Sequence, residues 1–420
     1  MRLLVLNSEI PFPPITGAQS RTYHLLKELS TEHELTLVGF GPEVSHTSTV
    51  YPFPVEVITV PWVLPELYRK MYGDNSSESQ AAYLHLEYES DEPWFVSYYE
   101  SPAMDEVLST MRLRSFDLIL IENSFMARFL SSLPLGVPKI LDMHNVHTLM
   151  AWRRAQEKSG SDKDDAVKEF DRTRSFERRV SSACQLCLCC SEQDAGAARH
   201  FLNVEHVTVI PNGVDTAVMT PPGAPSAMPG YLLFTGMMNY EPNIEAVRYF
   251  ATDIFPFIQH EVPHATFHIV GANPAPEVRA LACDAVFIHG SVPDMRPYFY
   301  QASIVVVPLL HGGGTRLKIL DAAACAKPIV STPAGAEGLN LLDGRDILLA
   351  DSASEFVQAV VRLSSDPLLQ CQLSQCARLA SEAYDWSKIT SRFCSVLACI
   401  AQRISTVATS MESRHECADD

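Results

Sequence analysis

A glycine-rich run at 311–321 is the densest group of residues in the sequence that could do chemistry. It follows the apolar segment 304–308 and reads HGGGTRLKILD. Glycine lets the backbone approach a ligand closely, and the N–H groups of such a loop and of a following helix can bind an anion. Arg316 and Lys318 place two positive charges beside those donors. The run therefore predicts a diphosphate-binding loop formed by Gly312, Gly313, Gly314, Thr315, Arg316 and Lys318.

Asp321 ends this run, and we expect its carboxylate to face the same pocket. An acidic residue in that place can accept hydrogen bonds from a ribose, as in other nucleotide-binding folds. Neither the Walker pattern nor the dinucleotide pattern Gly-x-Gly-x-x-Gly is present in the sequence. The alternative is a glycine turn that carries only surface charges.

Four of the eleven cysteines lie together at 184–190. Cys-x-x-Cys can supply two zinc ligands, but no second pair at ligand spacing follows. Cysteine also behaves as a small apolar residue, so a buried strand explains the segment better, and we predict no metal site. The short apolar start does not resemble an export signal, so we expect a cytoplasmic protein with reduced thiols.

The first half of the chain alternates short apolar runs with helix-like segments. Its predicted strands are 3–6, 34–40, 55–60, 118–121, 139–142 and 184–190. A proline-rich loop and Gly17 separate the first strand from a predicted helix at 18–29. Such alternation is typical of parallel strands covered by helices on both faces.

A second unit of the same kind follows the linker-like segment 221–230. Its predicted strands are 231–235, 266–270, 285–289, 303–308, 328–331 and 347–350. An apolar stripe predicts a last helix at 387–404, and residues 405–420 are expected to be a flexible tail. Two such sheets leave a cleft at the carboxyl ends of their strands, where ligands usually bind.

The composition excludes two classes of protein. Thirty-two Lys and Arg residues against 50 Asp and Glu residues give a net charge of −18, which argues against a nucleic-acid-binding protein. No uninterrupted apolar stretch is long enough to span a membrane.

Half of the excess negative charge lies at 74–106, where nine acidic residues and no Lys or Arg occur. We interpret residues 62–106 as an acidic insertion packed by aromatic side chains.

Several segments together resemble family 4 of the GT-B glycosyltransferases, and within it the bacterial exopolysaccharide sugar transferases. They are 312–332, 335–339, 191–194, 210–215, 234–236 and 242–243. The resemblance covers about residues 1–400. It implies two Rossmann-like, doubly wound α/β domains that face a central cleft. It also implies retaining transfer of a sugar from a UDP- or GDP-linked donor to a glycan, lipid-linked or small-molecule acceptor, without a cofactor or required metal.

The resemblance also assigns the domains. Residues 1–215 would receive the acceptor, 216–383 would bind the nucleotide sugar, and the helix at 384–404 would cross back to the first domain. Peripheral contact with the inner face of a membrane stays open, because lipid-linked acceptors fit this family while the acidic charge offers no strong anchor.

Individual roles follow from matching positions. Gly17 lies in the loop that approaches the donor phosphate and acceptor, and Arg316 and Lys318 match the cationic pair that neutralises the leaving diphosphate. His144 follows a strand where the family presents a histidine to the donor sugar. A capping or core histidine is the alternative there, and His147 is a weaker candidate for the same role.

The sequence departs from the family at two places. Many members carry two glutamates eight positions apart, where this chain has Gly313 and Asp321. The Arg and Lys often found after the first strand of the second domain are replaced at 237–240. Two alternatives to a transferase therefore stay open: a degenerate GT-B protein that only binds in glycan assembly, and a GT-B sugar phosphorylase or epimerase.

Overall fold

The computed structural model describes residues 1–41, 51–71, 90–223 and 226–416, which contain two parallel β-sheets. The strands of the first sheet are β1 (Arg2–Asn7), β2 (Glu34–Phe40), β3 (Glu56–Val60), β4 (Leu118–Glu122), β5 (Lys139–Met143), β6 (Leu186–Cys189) and β7 (Val207–Val209). The strands of the second sheet are β8 (Tyr231–Thr235), β9 (Thr266–Val270), β10 (Val286–Gly290), β11 (Ile304–Val307), β12 (Ile329–Ser331) and β13 (Leu348–Leu349).

Both sheets have the doubly wound order. The first runs β3-β2-β1-β4-β5-β6-β7, and the second runs β10-β9-β8-β11-β12-β13. In each sheet the order reverses beside the first strand, between β1 and β4 and between β8 and β11. Ligands of doubly wound sheets bind at this reversal, outside the carboxyl ends of the strands.

Helices cover the two sheets. Those of the first half are α1 (Gly17–Leu29), α2 (Glu66–Met71), α3 (Trp94–Ser97), α4 (Pro102–Met111), a 3-10 helix (Ser124–Ser131), α5 (His147–Glu157), α6 (Ser161–Ser182) and α7 (Glu192–Leu202). Those of the second half are α8 (Glu241–Tyr249), a π-helical turn (Phe250–Ile254), α9 (Phe255–Glu261), α10 (Pro276–Arg279), α11 (Arg296–Gln301), α12 (Leu317–Ala324), α13 (Ala353–Ser365), α14 (Pro367–Ser381), a 3-10 turn (Glu382–Tyr384) and α15 (Trp386–Glu416).

The sequence explains why these strands are central. All four residues of β11, Ile304–Val307, are fully buried, as expected for a parallel strand covered on both faces. The cysteine segment forms β6, whose two cysteines, Cys187 and Cys189, are also fully buried. Burial raises the pKa of both thiols, which therefore stay protonated near neutral pH.

The two domains share an apolar cluster. Leu320 and Ala324 of α12, from the second domain, are buried in the cluster that contains Leu25 and Leu26 of α1. Because α12 begins directly after the glycine-rich run, this contact fixes that run against the first domain.

Arg21 in α1 connects strand β5 of the first sheet to the segment that follows β7. Its side chain is fully buried and donates to both carboxylate oxygens of Asp142, at 2.8 and 2.9 Å. It also donates to the carbonyl oxygen of Ile210 at 2.7 Å and to Asn212 Oδ1 at 3.1 Å. The buried cation is thus fully paired, which such a charge requires.

Helix α15 packs against the first domain. Its first residue, Trp386, stacks on His24 with 4.8 Å between ring centroids, and Phe393 and Leu397 join the shared apolar cluster. The helix continues past its predicted end at about 404 to Glu416, and the flexible tail expected at 405–420 stays a prediction. No Gly or Pro interrupts the helix there, and small polar residues do not stop a helix. Residues 417–420 lie outside the described part of the chain.

The acidic insertion predicted at 62–106 is described at 62–71 and 90–106, where α2, α3 and α4 occur. Residues 72–89 lie outside the described residues. Within the described chain, no helix combines the length and apolar character needed to cross a membrane.

Candidate active site at the domain interface

The glycine-rich run lies where the second sheet faces the first domain. Gly312 and Gly314 have φ angles of +134° and +70°, which residues with a side chain rarely adopt. A Cβ atom added to Gly314 would lie 2.6 Å from Asn145 Oδ1, and one added to Gly313 would lie 2.8 Å from Met150 Sδ. The loop therefore touches the segment that follows β5, and it needs glycine to do so.

Arg316 folds back over this loop. Its side chain is buried, and Nη1 donates to the carbonyl oxygens of Gly313 and Gly314, the latter at 2.6 Å. Nε and Nη2 are buried with no hydrogen-bond partner among the described residues. Burial lowers the pKa of the guanidinium, which still remains charged near neutral pH. Two of its donor nitrogens can thus serve an anion.

Lys318 lies beside Arg316 at the start of α12. Its Nζ donates to Asn243 Oδ1 at 2.8 Å and lies 3.8 Å from the centroid of the Phe234 ring. Burial, followed by the positive charge of Arg316, lowers the pKa of this ammonium group well below its usual value. An anion bound between the two cations would oppose both effects.

Asp321 lies one helical turn after Lys318, as the sequence predicts. Burial raises the pKa of its carboxyl group to about 7. No described residue donates a hydrogen bond to this carboxylate. The Thr315 hydroxyl is likewise buried without a described partner.

His144 is held from the first domain by a residue that the sequence analysis missed. Its Nε2 lies 2.7 Å from Glu122 Oε2, and Glu122 is the last residue of β4. Thr22 also donates to this carboxylate oxygen at 3.1 Å. A carboxylate can only accept, so in the neutral imidazole paired with it Nε2 carries the hydrogen and Nδ1 is an acceptor. His144 Nδ1 is buried with no described partner.

His147, the weaker candidate, has a different environment. Its Nδ1 lies 3.3 Å from Glu177 Oε1 and 3.2 Å from Ser124 Oγ. Glu177 is fully buried and also accepts bonds from Thr148, and these hydrogen bonds overcome the effect of burial to lower its pKa. This network holds the start of α5 and engages the ring of His147 away from His144.

Gly17 is the first residue of α1, and Thr16 caps that helix. A Cβ atom at Gly17 would lie 3.1 Å from Leu317 Cδ1, so this loop of the first domain meets the start of α12. Gln19 donates to Glu9 Oε2 at 2.8 Å. Burial raises the pKa of Glu9, although the hydrogen bond from Gln19 acts in the opposite direction.

An ion pair between the domains closes one side of this site. Arg153 of α5 donates to both carboxylate oxygens of Glu337 at 2.8 and 2.7 Å. The same guanidinium lies 3.5 Å from the carbonyl oxygen of Gly312. Glu337 lies in the segment 335–339, which resembles the family, but nothing in the local sequence indicates that its partner lies in the other half of the chain.

Unpaired buried polar atoms concentrate at this interface. Six buried side-chain nitrogen or oxygen atoms lie here without a hydrogen-bond partner among the described residues. The six atoms are Glu122 Oε1, His144 Nδ1, Asn145 Oδ1, Thr315 Oγ1, Arg316 Nε and Arg316 Nη2. Because native proteins rarely leave buried polar groups unpaired, such a concentration indicates a binding site for a polar ligand.

One group of described residues could hold a metal ion: Glu122, Asp142 and His144. Their side chains are already engaged, since Asp142 pairs with Arg21 while Glu122 pairs with His144 and Thr22. None of the cysteines at 184–190 belongs to this group, which agrees with their place in and around a buried strand.

The fold and this site together define a class, the two-domain GT-B glycosyltransferases, in which two doubly wound sheets face each other across a ligand site. Two family models match the sequence, "Glycosyltransferase Family 4" at residues 15–218 and "Glycosyl transferases group 1" at residues 229–366. The chain belongs to glycosyltransferase family 4. The predicted family and the predicted GT-B fold are therefore confirmed.

The curated relatives that match this chain are also named as glycosyltransferases. A D-inositol 3-phosphate glycosyltransferase from Arthrobacter sp. is 25% identical over 277 residues, which are 60% of this chain and 63% of the relative. A protein of the same name from Acidothermus cellulolyticus is 27% identical over 208 residues, 43% of this chain and 45% of the relative. The matches thus span less than two thirds of these relatives.

Solved structures share the whole fold. Sucrose-phosphate synthase from Thermosynechococcus elongatus superposes with a TM-score of 0.70 at 16% identity, covering 95% of this chain and 99% of the other. HepE from Anabaena, solved in complex with UDP and glucose, gives a TM-score of 0.64 at 14% identity with the same coverage. At such low identity the likeness shows the fold alone.

Proposed function

We propose that this protein transfers a sugar from a nucleotide-sugar donor to an acceptor hydroxyl with retention of the anomeric configuration. The observation that carries the proposal is the concentration of unpaired buried polar atoms between the glycine-rich loop and the ends of β4 and β5. These atoms combine hydrogen-bond donors suited to a diphosphate, on Arg316, with an acceptor suited to a sugar hydroxyl, on His144.

Each group has a separate task in this reaction. The glycine-rich loop, Arg316 and Lys318 bind the diphosphate of the donor. As the bond from the anomeric carbon to the phosphate oxygen breaks, its electron pair passes to the diphosphate, and the two cations stabilise that charge. His144 Nδ1 accepts a hydrogen bond from the donor sugar. The acceptor oxygen bonds to the anomeric carbon, and its proton passes to an oxygen of the departing diphosphate.

The donor nucleotide is proposed to be UDP, since HepE was solved with UDP and glucose. Asp321 would bind the ribose hydroxyls in its ionised form, and because its pKa is about 7, that form gains population as the pH rises through neutrality. The acceptor side is assigned to the first domain. We also propose that the protein acts in polysaccharide or glycoconjugate synthesis and that it contacts a membrane surface.

The test is a transfer assay with stereochemistry as its readout. The full chain is incubated with α-linked UDP- and GDP-sugars and a panel of neutral and phosphorylated acceptors, and products are identified by mass spectrometry and proton NMR. We expect an α-linked product and free nucleoside diphosphate. A β-linked product would contradict retention. Nucleotide binding without transfer or donor hydrolysis would favour a binding-only protein, and sugar 1-phosphate or an epimer without acceptor would favour the phosphorylase or epimerase.

A further inference from the structure

A cavity of about 470 Å³ opens in the first domain beside the carboxyl ends of β1, β2 and β3. Its lining residues are Ser8, Phe40, Gly41, Pro61, Trp62, Tyr98 and Tyr99. This edge of the sheet is the one that carries Gly17 and His144. The volume lies within the usual range for sites that bind small molecules.

Aromatic rings form the wall of this cavity, and they support one another. The rings of Trp62 and Tyr98 lie 5.0 Å apart, and those of Tyr98 and Tyr99 lie 5.4 Å apart at 82°. Tyr68 packs edge-on against Tyr98 at 5.3 Å, and its hydroxyl donates to the carbonyl oxygen of Trp94. Trp62 is 37% exposed, so its ring is presented to a ligand on a fixed support.

The cavity lies at the same edge of the first sheet as the candidate active site, beside a row of packed aromatic rings. Tyr99 stacks on Phe125 with 4.5 Å between centroids, and Phe125 lies 6.0 Å from His147, three residues after His144. Glu9 follows Ser8 of the cavity lining, and its Oε2 accepts a hydrogen bond from Gln19 in the first turn of α1 at 2.8 Å. A molecule held in the cavity would therefore extend toward the groups that bind the donor sugar.

The uncharged lining of the cavity indicates which class of ligand it can bind. None of the seven described lining residues is charged, and the neighbouring ionisable group is the acidic Glu9. An anion placed here would lose solvation without gaining a cation. A pyranose ring instead presents polarised C–H groups to the negative face of an aromatic ring and leaves its hydroxyls for Ser8 and the backbone.

We propose that this aromatic cavity binds the acceptor, and that the acceptor is an uncharged sugar whose ring stacks on Trp62. The inference rests on the proposed transferase function and narrows its acceptor class. It separates this chain from its curated relatives, whose name specifies an inositol that carries a phosphate. A phosphorylated acceptor would require cations that the described lining lacks.

The experiment compares acceptors and variants on the full chain. The neutral probes are cellobiose, maltose and lactose, and the anionic probes are inositol 3-phosphate and glycerol 3-phosphate. Binding is followed by tryptophan fluorescence and calorimetry with UDP present, and the acceptor KM is measured for each probe that is used. Trp62→Ala is the test variant. Trp152→Ala is its control, since Trp152 lies on α5 beside Phe201 and is 39% exposed, close to the value for Trp62.

We expect at least one neutral disaccharide to bind and to be glycosylated. Trp62→Ala should raise its Kd and acceptor KM about tenfold through loss of the stacking surface, with the UDP affinity unchanged. Trp152→Ala should match the wild type. Equal sugar binding by Trp62→Ala and wild type, a preference for the anionic probes, or UDP binding without any sugar binding would each overturn the inference. Failure to bind UDP at all would instead overturn the proposed function.

Discussion

The pair formed by Glu122 and His144 connects the chemistry of the site to the end of a strand. Glu122 is fully buried, ends β4 and accepts from both His144 and Thr22. The resemblance to the family pointed to His144, because it follows a strand at the place where the family presents a histidine to the donor sugar. The sequence does not reveal Glu122, because the pairing of β4 with β5 decides which side chain lies beside His144.

Glu122→Gln tests the orientation of His144. The amide lacks the negative charge that holds the Nε2 hydrogen, so Nδ1 is less firmly fixed as the acceptor for the donor sugar. We expect kcat to fall about ten- to hundredfold, the range for loss of a hydrogen bond to a charged group, with little change in the Kd for UDP.

A double-mutant cycle with His144→Asn provides the control. If Glu122 acts through His144, the double variant should be no slower than the slower single variant, and the pH profile of kcat should change in both. Additive losses, or a Glu122→Gln variant that loses UDP binding and kcat together, would show that Glu122 has only a structural role.

Residue types and spacing alone pointed to Arg316 and Lys318, but the contacts of these two side chains were not foreseeable from the sequence. Arg316 folds over its own loop, and Lys318 reaches Asn243 and the Phe234 ring in the neighbouring strand and helix. Residue types and spacing indicate an anion site. Only the packing of β8 against β11 determines which neutral groups hold the cations there.

At the scale of elements, the glycine-rich loop and α12 form one unit between the domains. The loop contacts Asn145 and Met150, and Leu320 of α12 is buried in the first domain's apolar cluster. The apolar run before the loop and the glycines within it were enough to predict a strand, a tight loop and a helix. The sequence could not show that this unit touches the other domain, because that contact arises from tertiary packing.

Alanine substitutions separate the roles of two neighbouring glycines. Gly314→Ala combines a φ of +70° with a contact of 2.6 Å to Asn145 Oδ1, whereas Gly313→Ala has no positive φ and meets the flexible end of Met150 at 2.8 Å and Asn145 Oδ1 at 3.0 Å. We expect Gly314→Ala to lower kcat more than Gly313→Ala and to lower the Tm by several degrees, from roughly 1–2 kcal/mol of backbone strain plus the contact.

Gly136→Ala is the matched control for backbone strain. Its φ is +71°, and an added Cβ would meet nothing within 4 Å. It should lower the Tm by less than Gly314→Ala and leave kcat unchanged. Equal kcat for the Gly314→Ala and Gly136→Ala variants would show that the close approach of the loop to β5 has no part in catalysis.

The alternation of strands and helices made most elements predictable, since each central strand is an apolar run bounded by turn residues. Strands 34–40, 231–235 and 266–270 agree with β2, β8 and β9 to the residue. The end of α15 did not agree, because amphipathic periodicity fades after Ile404 while no residue actively stops the helix. The loss of an apolar stripe therefore predicts the end of a helix less reliably than a Gly or Pro residue does.

At the scale of the whole molecule, three contacts join the domains around the site. The ion pair of Arg153 with Glu337 lies on one side, α12 packs into the first domain, and Arg21 binds the segment at 210–212 that leads into the second domain. The resemblance predicted two domains facing a cleft. Arg153 and Glu337, which pair across that cleft, lie 184 positions apart in sequence and leave no local signal.

The central claim is that Arg316 and Lys318 bind the donor diphosphate between the two domains. Calorimetric titration with UDP tests it most directly, on the wild type, Arg316→Ala, Lys318→Ala and the double variant. Arg248→Ala serves as the control, because Arg248 is an exposed arginine in the last turn of α8 in the same domain.

The wild type and Arg248→Ala should bind UDP with the same affinity. Each single site variant should bind about ten- to hundredfold more weakly, as expected for loss of a charged hydrogen bond, and the double variant more weakly still. Circular dichroism would verify that each variant is folded. Unchanged UDP affinity in a folded double variant would contradict the account.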